Sequence, residues 1–317
     1  MKCLVFVADK MQPFVNQAIE ATLLKLADDD TEILYLWKND KTVVIGKNQN
    51  AYTECNVSQL ENDGGFVARR ISGGGAVYHD KGNLNFTFVS SRNNYNVAKN
   101  FEIMTDAMRS LGFEVSLSGR NDVLLNGRKF SGNAFYKGND ACFHHGTILI
   151  KTSPEIIAKY LKVSKVKLEA KGVKSVVSRV INLSDVLPVT AEQVTDSLIK
   201  SFGSYYKQEP VRITEADLPA DELAKQIAFF SDEKWRHGDD VHYDVHYDAR
   251  IERRFSWGTA DIRLKLNGDV IEDCKIYSDS LDDVTERQNL LIGADVNVGK
   301  EGVNDIIEAF KEQENGF

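Results

Sequence analysis

The chain lacks any excess of positive charge. Its 39 lysines and arginines are outnumbered by 47 aspartates and glutamates, for a net charge of -8. A surface that neutralises nucleic-acid phosphates is normally basic or carries a basic stripe. No such run occurs, so nucleic acid is not the expected partner. Cysteine is scarce: Cys3, Cys55, Cys142 and Cys274 lie far apart and none forms a CxxC pair. That pattern excludes a zinc ribbon and a disulfide framework and fits a reducing compartment. Long apolar runs are also missing. "MKCLVFVAD" holds six apolar residues before Asp9, too few for a signal-peptide core, and no segment reaches membrane-spanning length. A cytoplasmic protein with no membrane partner is expected. Neither GxxxxGK[ST] nor GxGxxG is present, which removes two common phosphate-binding loops.

What remains is ordinary globular material, 42% hydrophobic and 27% charged over 317 residues, a length that fits one large and one small domain. "CLVFVA" reads as a buried strand, and Pro13 is well placed to open a helix. "EILYLWKN" and "KTVVIG" read as strands joined by a turn at Asn39-Asp40. Val97, Phe101, Met104, Met108 and Leu111 repeat at four and three, which predicts a helix ended by Gly112. "DVLLNGRKFSGNAF" reads as a hairpin around Asn126-Gly127, and "CFHHGTILI" as a further strand. Thr190 and Gln193 predict a capping box at a helix start. The polar stretch 237–248 reads as a linker. A second hairpin is expected around Asn267-Gly268, then a helical tail. Strands and helices mixed with hairpins predict an α+β fold with a mixed or mostly antiparallel sheet.

Chemistry concentrates in a few places. Gly73-Gly74-Gly75 either makes a turn between strands or lets backbone approach a ligand closely, its N–H groups forming an anion nest beside Arg69 and Arg70. Lys129 points opposite to Arg128 and Phe130 if it lies on a strand. It is either exposed or matched to an anion, since an unpaired buried charge is costly. Asn121-Asp122 is either an Asx turn or a contact to phosphates, Asp122 being a candidate magnesium ligand. His144 and His145 face opposite sides of a strand, so one of them is free to line a pocket. His242, Asp244, His246 and Asp248 share a face if extended, as either a zinc site or a polar linker. Cys142 is either a nucleophile or a small core residue.

Three stretches, "RRISGGGAVYHDKGNLNFTF", "SGRNDVLLNGRKFSGNAF" and "FHHGTILI", together resemble the lipoate–protein ligase family. "WKNDKTVVIGKNQNAYTECN" and "KLEAKGVKSVVSRV" extend the resemblance over essentially the whole chain. The resemblance implies a catalytic domain, residues 1–240, similar to biotin protein ligases and class II aminoacyl-tRNA synthetases. It also implies a small α+β accessory domain over 249–317 that supports activation. The implied reaction has two steps. Lipoate and Mg-ATP give lipoyl-AMP and pyrophosphate; the lipoyl group then passes to a lysine of an acceptor, a lipoyl domain of a 2-oxoacid dehydrogenase E2 subunit or the glycine-cleavage H protein. By position, Arg70 and the backbone of Gly75, Ala76, Val77 and Tyr78 are expected to hold ATP, joined by Asn121 and Asp122. Lys129 is expected to touch both lipoate and the α-phosphate and to be the catalytic residue. Gly74, Gly75 and His145 are the other expected lipoate contacts, and Asp122 the expected magnesium ligand. Glu169 to Val176 resembles a loop that covers the adenylate, with Glu169 where the family commonly has a small residue. An ATP-independent octanoyl or lipoyl transferase with a Cys142 thioester and a non-catalytic acyl-binding protein are the alternatives.

Overall fold

The fold, taken from a computed structural model, is described for residues 1–119, 121–162, 179–238 and 247–296. The first apolar run forms β1 (Lys2–Val7), and Pro13 opens α1 (Pro13–Leu23), where its missing N–H costs nothing. Then come β2 (Thr31–Trp37), β3 (Thr42–Ile45), α2 (Ala51–Glu54), α3 (Val57–Asn62), β4 (Phe66–Arg69), β5 (Val77–His79) and β6 (Asn83–Ser91). α4 (Val97–Ser110) is followed by β7 (Val115–Ser118), β8 (Asp122–Leu125), β9 (Arg128–Lys137), β10 (Ala141–Leu149) and α5 (Pro154–Tyr160). α6 (Ala191–Tyr206), β11 (Val211–Ile213), α7 (Ala220–Ser231) and α8 (Glu233–His237) precede the last group: β12 (Ala249–Arg254), β13 (Thr259–Asn267), β14 (Val270–Ser278) and α9 (Thr285–Leu291).

Several local signals act as expected. Gly112, at φ 89°, follows the end of α4. At the start of α6, Thr190 Oγ1 accepts from Gln193 N–H at 3.3 Å while Gln193 Oε1 accepts from Thr190 N–H at 2.9 Å. Asn126 and Gly127 both have positive φ, 52° and 73°, the pair that a two-residue hairpin turn requires.

The main sheet has eight strands in the order β11-β1-β2-β6-β10-β9-β8-β7. β1 runs parallel to β11 and β2, and the other pairs are antiparallel, a mixed sheet of the expected α+β kind. β2 and β3 are the two expected strands, joined across residues 38–41, but they do not pair with each other. Both edges of β2 are taken, by β1 and β6, so β3 pairs instead with β4 and β5 in a separate three-stranded sheet.

All nine residues of β6 are buried because both faces of the sheet are covered. On one face Leu34, Leu36, Phe86 and Phe88 pack against Met104 and Met108 of α4 and Leu198 and Phe202 of α6. On the other, Phe6, Ile33, Tyr35 and Phe143 pack with Ile19 of α1 and Phe230 of α7. Truncating a residue such as Phe86 to alanine costs about 3–5 kcal/mol, a large part of a typical domain's stability.

β12, β13 and β14 form a third sheet with its own core of Phe255, Trp257, Ile262, Leu264, Ile276 and Leu291. Its hairpin turns at Gly268-Asp269, one residue later than expected, with Asn267 still paired to Val270; a register shift lies at Lys265/Leu266. No helix among the described residues is long and apolar enough to cross a membrane.

Candidate active site

A cavity of about 490 Å³ lies over β8, β9, β10 and β6, between the glycine loop and residues of the third sheet. Arg70, Gly74, Gly75, Ala76, Val77, Asn121, Asp122, Lys129 and His145 all line it. Tyr78 does not. Its backbone pairs with Val43 on β3 and its ring packs on Tyr160 at 5.4 Å.

The three glycines have three different reasons. A Cβ on Gly73 would lie 2.4 Å from the Ser280 carbonyl oxygen and 2.5 Å from that of Leu281. Gly74 has φ 92°, and its Cβ would meet the Arg70 guanidinium at 2.9 Å. A Cβ on Gly75 would meet nothing within 4 Å. Close packing on the last strand group therefore explains Gly73, left-handed backbone explains Gly74, and only Gly75 faces open space. Gly74 N–H donates to Ser280 O at 2.6 Å, and Asn48 Nδ2 donates to Asp282 O at 2.8 Å. Lys47 pairs with Asp283. The glycine loop and the neighbouring Lys47 and Asn48 are thus tied to residues 280–283.

Arg70 is 7% exposed, and its donors are spent on the loop and on β3. It donates to Ser72 Oγ at 3.1 Å, Val44 O at 3.2 Å, Gly73 O at 2.7 Å and Gly75 O at 2.8 Å. Burial pulls its guanidinium down to about 10, with Glu20 opposing. The residue fixes the loop's shape and brings a positive charge beneath it.

Lys129 projects from β9 into the cavity while Phe130 enters the core on the other face. Its Nζ sits 2.6 Å from Asp122 Oδ1, and the other carboxylate oxygen of Asp122 pairs with Arg179. Arg179 arrives through the backbone: Lys129 N–H donates to Arg179 O at 2.9 Å, and Ile181 N–H donates to Lys129 O at 3.0 Å. The three side chains sum to one positive charge. Burial lowers the lysine's affinity for its proton, and Asp122 opposes that. Burial would raise Asp122, but Lys129 and then Arg179 outweigh it and hold the carboxyl below its usual range. Gly132 makes room for this arrangement, since a Cβ there would lie 2.6 Å from Lys129 Nζ. Asn121 lines the cavity, but its Nδ2 donates to Asn133 O at 3.1 Å and so ties β8's entrance to β9.

The opposite pole of the cavity is buried and polar. His145 shares Glu20 Oε1 at 2.8 Å through Nδ1 and meets Ser72 Oγ at 2.8 Å through Nε2. Glu20 Oε1 also accepts from Thr87 Oγ1 at 2.6 Å, which in turn accepts from Trp37 Nε1 at 3.1 Å. His144, on the other face of β10, packs among Phe86, Phe101 and Phe135 and bonds Asn133 Oδ1 at 2.9 Å. Cys142 shares that face, is 1% exposed and does not line the cavity.

Sequence reading missed Arg179, Gln17, Glu20, Trp37, His79, Arg254 and Trp257, all of which line the cavity. Only Gly132, three residues after Lys129 on the same strand, carried a local signal. Residues Glu169 to Val176, expected as a covering loop, and His242, Asp244 and His246 of the linker lie outside the described residues. Asp248 is described, and its carboxylate accepts from Leu266 N–H at 2.7 Å. Among the described residues no three metal-ligating side chains converge.

The family model of the lipoyl protein ligase A/B catalytic domain matches residues 12–203, and that of the bacterial lipoate protein ligase C-terminus matches residues 244–316. A lipoate-protein ligase A of Psychrobacter cryohalolentis is 38% identical over 290 residues, 89% of this chain and 84% of the relative. One of Bdellovibrio bacteriovorus is 37% identical over 298 residues, 90% of this chain and 87% of the relative. A crystal structure of a P. falciparum protein in complex with lipoate is 32% identical, with a TM-score of 0.79 over 96% of this chain and 94% of that one. A bipartite lipoate protein ligase of Thermoplasma acidophilum, described with its E2 lipoyl domain, is 26% identical, with a TM-score of 0.66 over 75% of this chain and 97% of that one. The two family models cover most of the sequence and the relatives match along its length: this chain belongs to the lipoate–protein ligase family and is a ligase.

Proposed function

We propose that the chain activates lipoate with Mg-ATP as lipoyl-AMP and then transfers the lipoyl group to a lysine of a lipoyl domain. The observation that carries this reading is the placement of Lys129. It is a half-buried lysine aimed into a cavity beside the glycine loop, with Asp122 and Arg179 holding it in place. The lipoate carboxylate attacks the α-phosphorus of ATP, a P–O bond to the pyrophosphate breaks, and a mixed anhydride forms. Negative charge gathers between two anionic groups in that step. Lys129 and Arg179 are fixed before the reaction, so they stabilise that charge without reorganising. The open side of Gly75, with Ala76 and Val77, gives backbone room for the nucleotide.

Magnesium would come with the nucleotide. A magnesium ion commonly binds one or two carboxylates together with substrate phosphates, and Asp122 and Asp279 are carboxylates on this cavity. The ion would neutralise phosphate charge; Asp122 would share its oxygens between that ion and the two cations it already meets. In the second step the acceptor lysine's amine attacks the acyl carbonyl and AMP leaves. Residues 249–317 act as the accessory part, closing the cavity through Arg254 and Trp257 and keeping water from the adenylate.

The placement of Cys142 on the far face of β10 favours an adenylate over a cysteine thioester. The test is pyrophosphate release from lipoate and Mg-ATP with no acceptor present. Stoichiometric release that depends on lipoate supports activation, and none at saturating substrates contradicts it.

A further inference from the structure

Gln17 is 1% exposed, lines the cavity, and neither its amide oxygen nor its amide nitrogen has a partner. Buried amides are almost always paired. His79 also lines the cavity, and its Nε2 has no partner. Asn16 Nδ2 donates to Asn39 Oδ1 at 3.0 Å, which turns the Asn39 amine toward His79 Nδ1 at 3.3 Å. Asn83 Nδ2 donates to Asn85 Oδ1 at 2.9 Å, which turns the Asn85 amine toward the same nitrogen at 3.4 Å. With two donors facing it, Nδ1 accepts, so the proton of the neutral ring lies on Nε2. That N–H is buried and has no acceptor, and the residue lines the cavity. The inner pole thus presents N–H donors from two residues to whatever fills it.

These donors lie at a fixed remove from Lys129. His79 is tied to β6 through Asn85, and α1 to β6 through the Glu20–Thr87 bond. β6 is two strands from β9 in the sheet order, about 10 Å at the usual strand spacing. An acyl chain whose carboxylate lies at Lys129 and which runs across the sheet ends at this pole.

We propose that Gln17, with His79, is the specificity determinant for the far end of the acyl chain, and that it selects a sulfur-bearing ring over a plain alkyl tail. This rests on the lipoate-activating reading above. The sulfurs of a dithiolane have lone pairs and accept weakly, so they give the amide and imidazole N–H groups a partner. An alkyl tail of the same length strips water from those donors and returns nothing. A site built for polar contact rejects the analogue that leaves its groups unpaired. Because sulfur is a weak acceptor, the expected discrimination is about tenfold or more, below what an oxygen partner would give.

The test compares lipoate with octanoate on the full chain. The readouts are kcat/KM for pyrophosphate release with Mg-ATP, and binding of each free acid by titration calorimetry without ATP. The unaltered protein should prefer lipoate by about tenfold or more. Gln17→Leu should lower that preference about tenfold, chiefly by improving octanoate. Gln17→Met keeps an unbranched chain of similar length without the N–H donors and should move the ratio the same way if the leucine variant folds poorly. A lipoate-to-octanoate ratio unchanged within twofold in both variants overturns the role of Gln17 and leaves the activation reading standing. Equal loss for both acids likewise overturns it, since that is the mark of a merely structural residue. Activation of neither acid by the unaltered protein defeats the reading itself, and this inference with it.

Discussion

Replacing Lys129 by alanine takes the cavity's cationic end from one net positive charge to none, because Arg179 and Asp122 then cancel. A unit charge about 4 Å from a charge developing in the transition state is worth about 4 kcal/mol at an effective dielectric constant near 20. Removal of one preorganised donor elsewhere costs about 100- to 1000-fold in rate. The two figures agree, and we expect kcat/KM for pyrophosphate release to fall by about 100- to 1000-fold. The fold should tolerate the change. Asp122 keeps Arg179 as its partner, and burial already opposes the charge on Lys129, so the melting temperature should move by only a few degrees. Gly132→Ala supplies a second arm. Its Cβ would sit 2.6 Å from Lys129 Nζ, displacing the charge without deleting it, and activity should fall by less than in Lys129→Ala. The assay is pyrophosphate release at limiting lipoate, with circular dichroism to confirm folding. A folded Lys129→Ala protein that keeps more than about a tenth of the original rate would refute the electrostatic role.

Gly75→Val should raise KM for ATP and lipoate with little change in melting temperature, because its side chain enters the cavity; Gly73→Ala should instead lower the melting temperature, since its Cβ would meet the Ser280 and Leu281 carbonyls. The reverse pattern would show that the triplet's roles are misassigned. Cys142→Ala should keep full ATP-dependent activity, measured as product per enzyme over many turnovers; an inactive but folded variant would favour a thioester. Stability should drop as pH falls below neutral. Burial pushes both His79 and His144 down to about 3, so the unfolded chain binds more protons than the folded one between the ordinary histidine value and that point. The stability these neutral rings contribute is present above about 6.5 and is lost progressively as pH falls toward 3. With both titrating, the slope reaches about 2.7 kcal/mol per pH unit. Melting temperatures that stay flat from pH 7 to 4.5 would contradict the neutral, buried assignment.

Much of the site could be read from the sequence because its signals are local. Lys129 follows a turn fixed by Asn126-Gly127, and alternation from Phe130 sets its direction, so a strand reading sufficed. His145 separated from His144 by the same rule. The glycine triplet was visible as a group, but its division into three separate reasons was not. The atoms that crowd Gly73 belong to Ser280 and Leu281, some two hundred residues away in sequence. Arg179 stayed hidden for a related cause: it reaches Asp122 only because the 179–181 segment pairs with β9. Gln17 and Glu20 are polar residues of α1 that no motif singles out. Their burial comes from Thr87, His145 and the cavity itself, partners that no helical periodicity reveals. Which strands β2 and β3 would pair with was not legible either, because strand pairing is decided by which edges are free, a property of the whole sheet.

The central claim is that ATP drives lipoate onto a protein lysine through this cavity. The most direct measurement is the intact mass of a lipoyl domain incubated with the full chain and lipoate, with and without Mg-ATP. A single lipoyl addition that requires Mg-ATP, and that disappears when the acceptor lysine is replaced by arginine, is the predicted result. Addition of equal extent without ATP, or no addition under any condition, would contradict it.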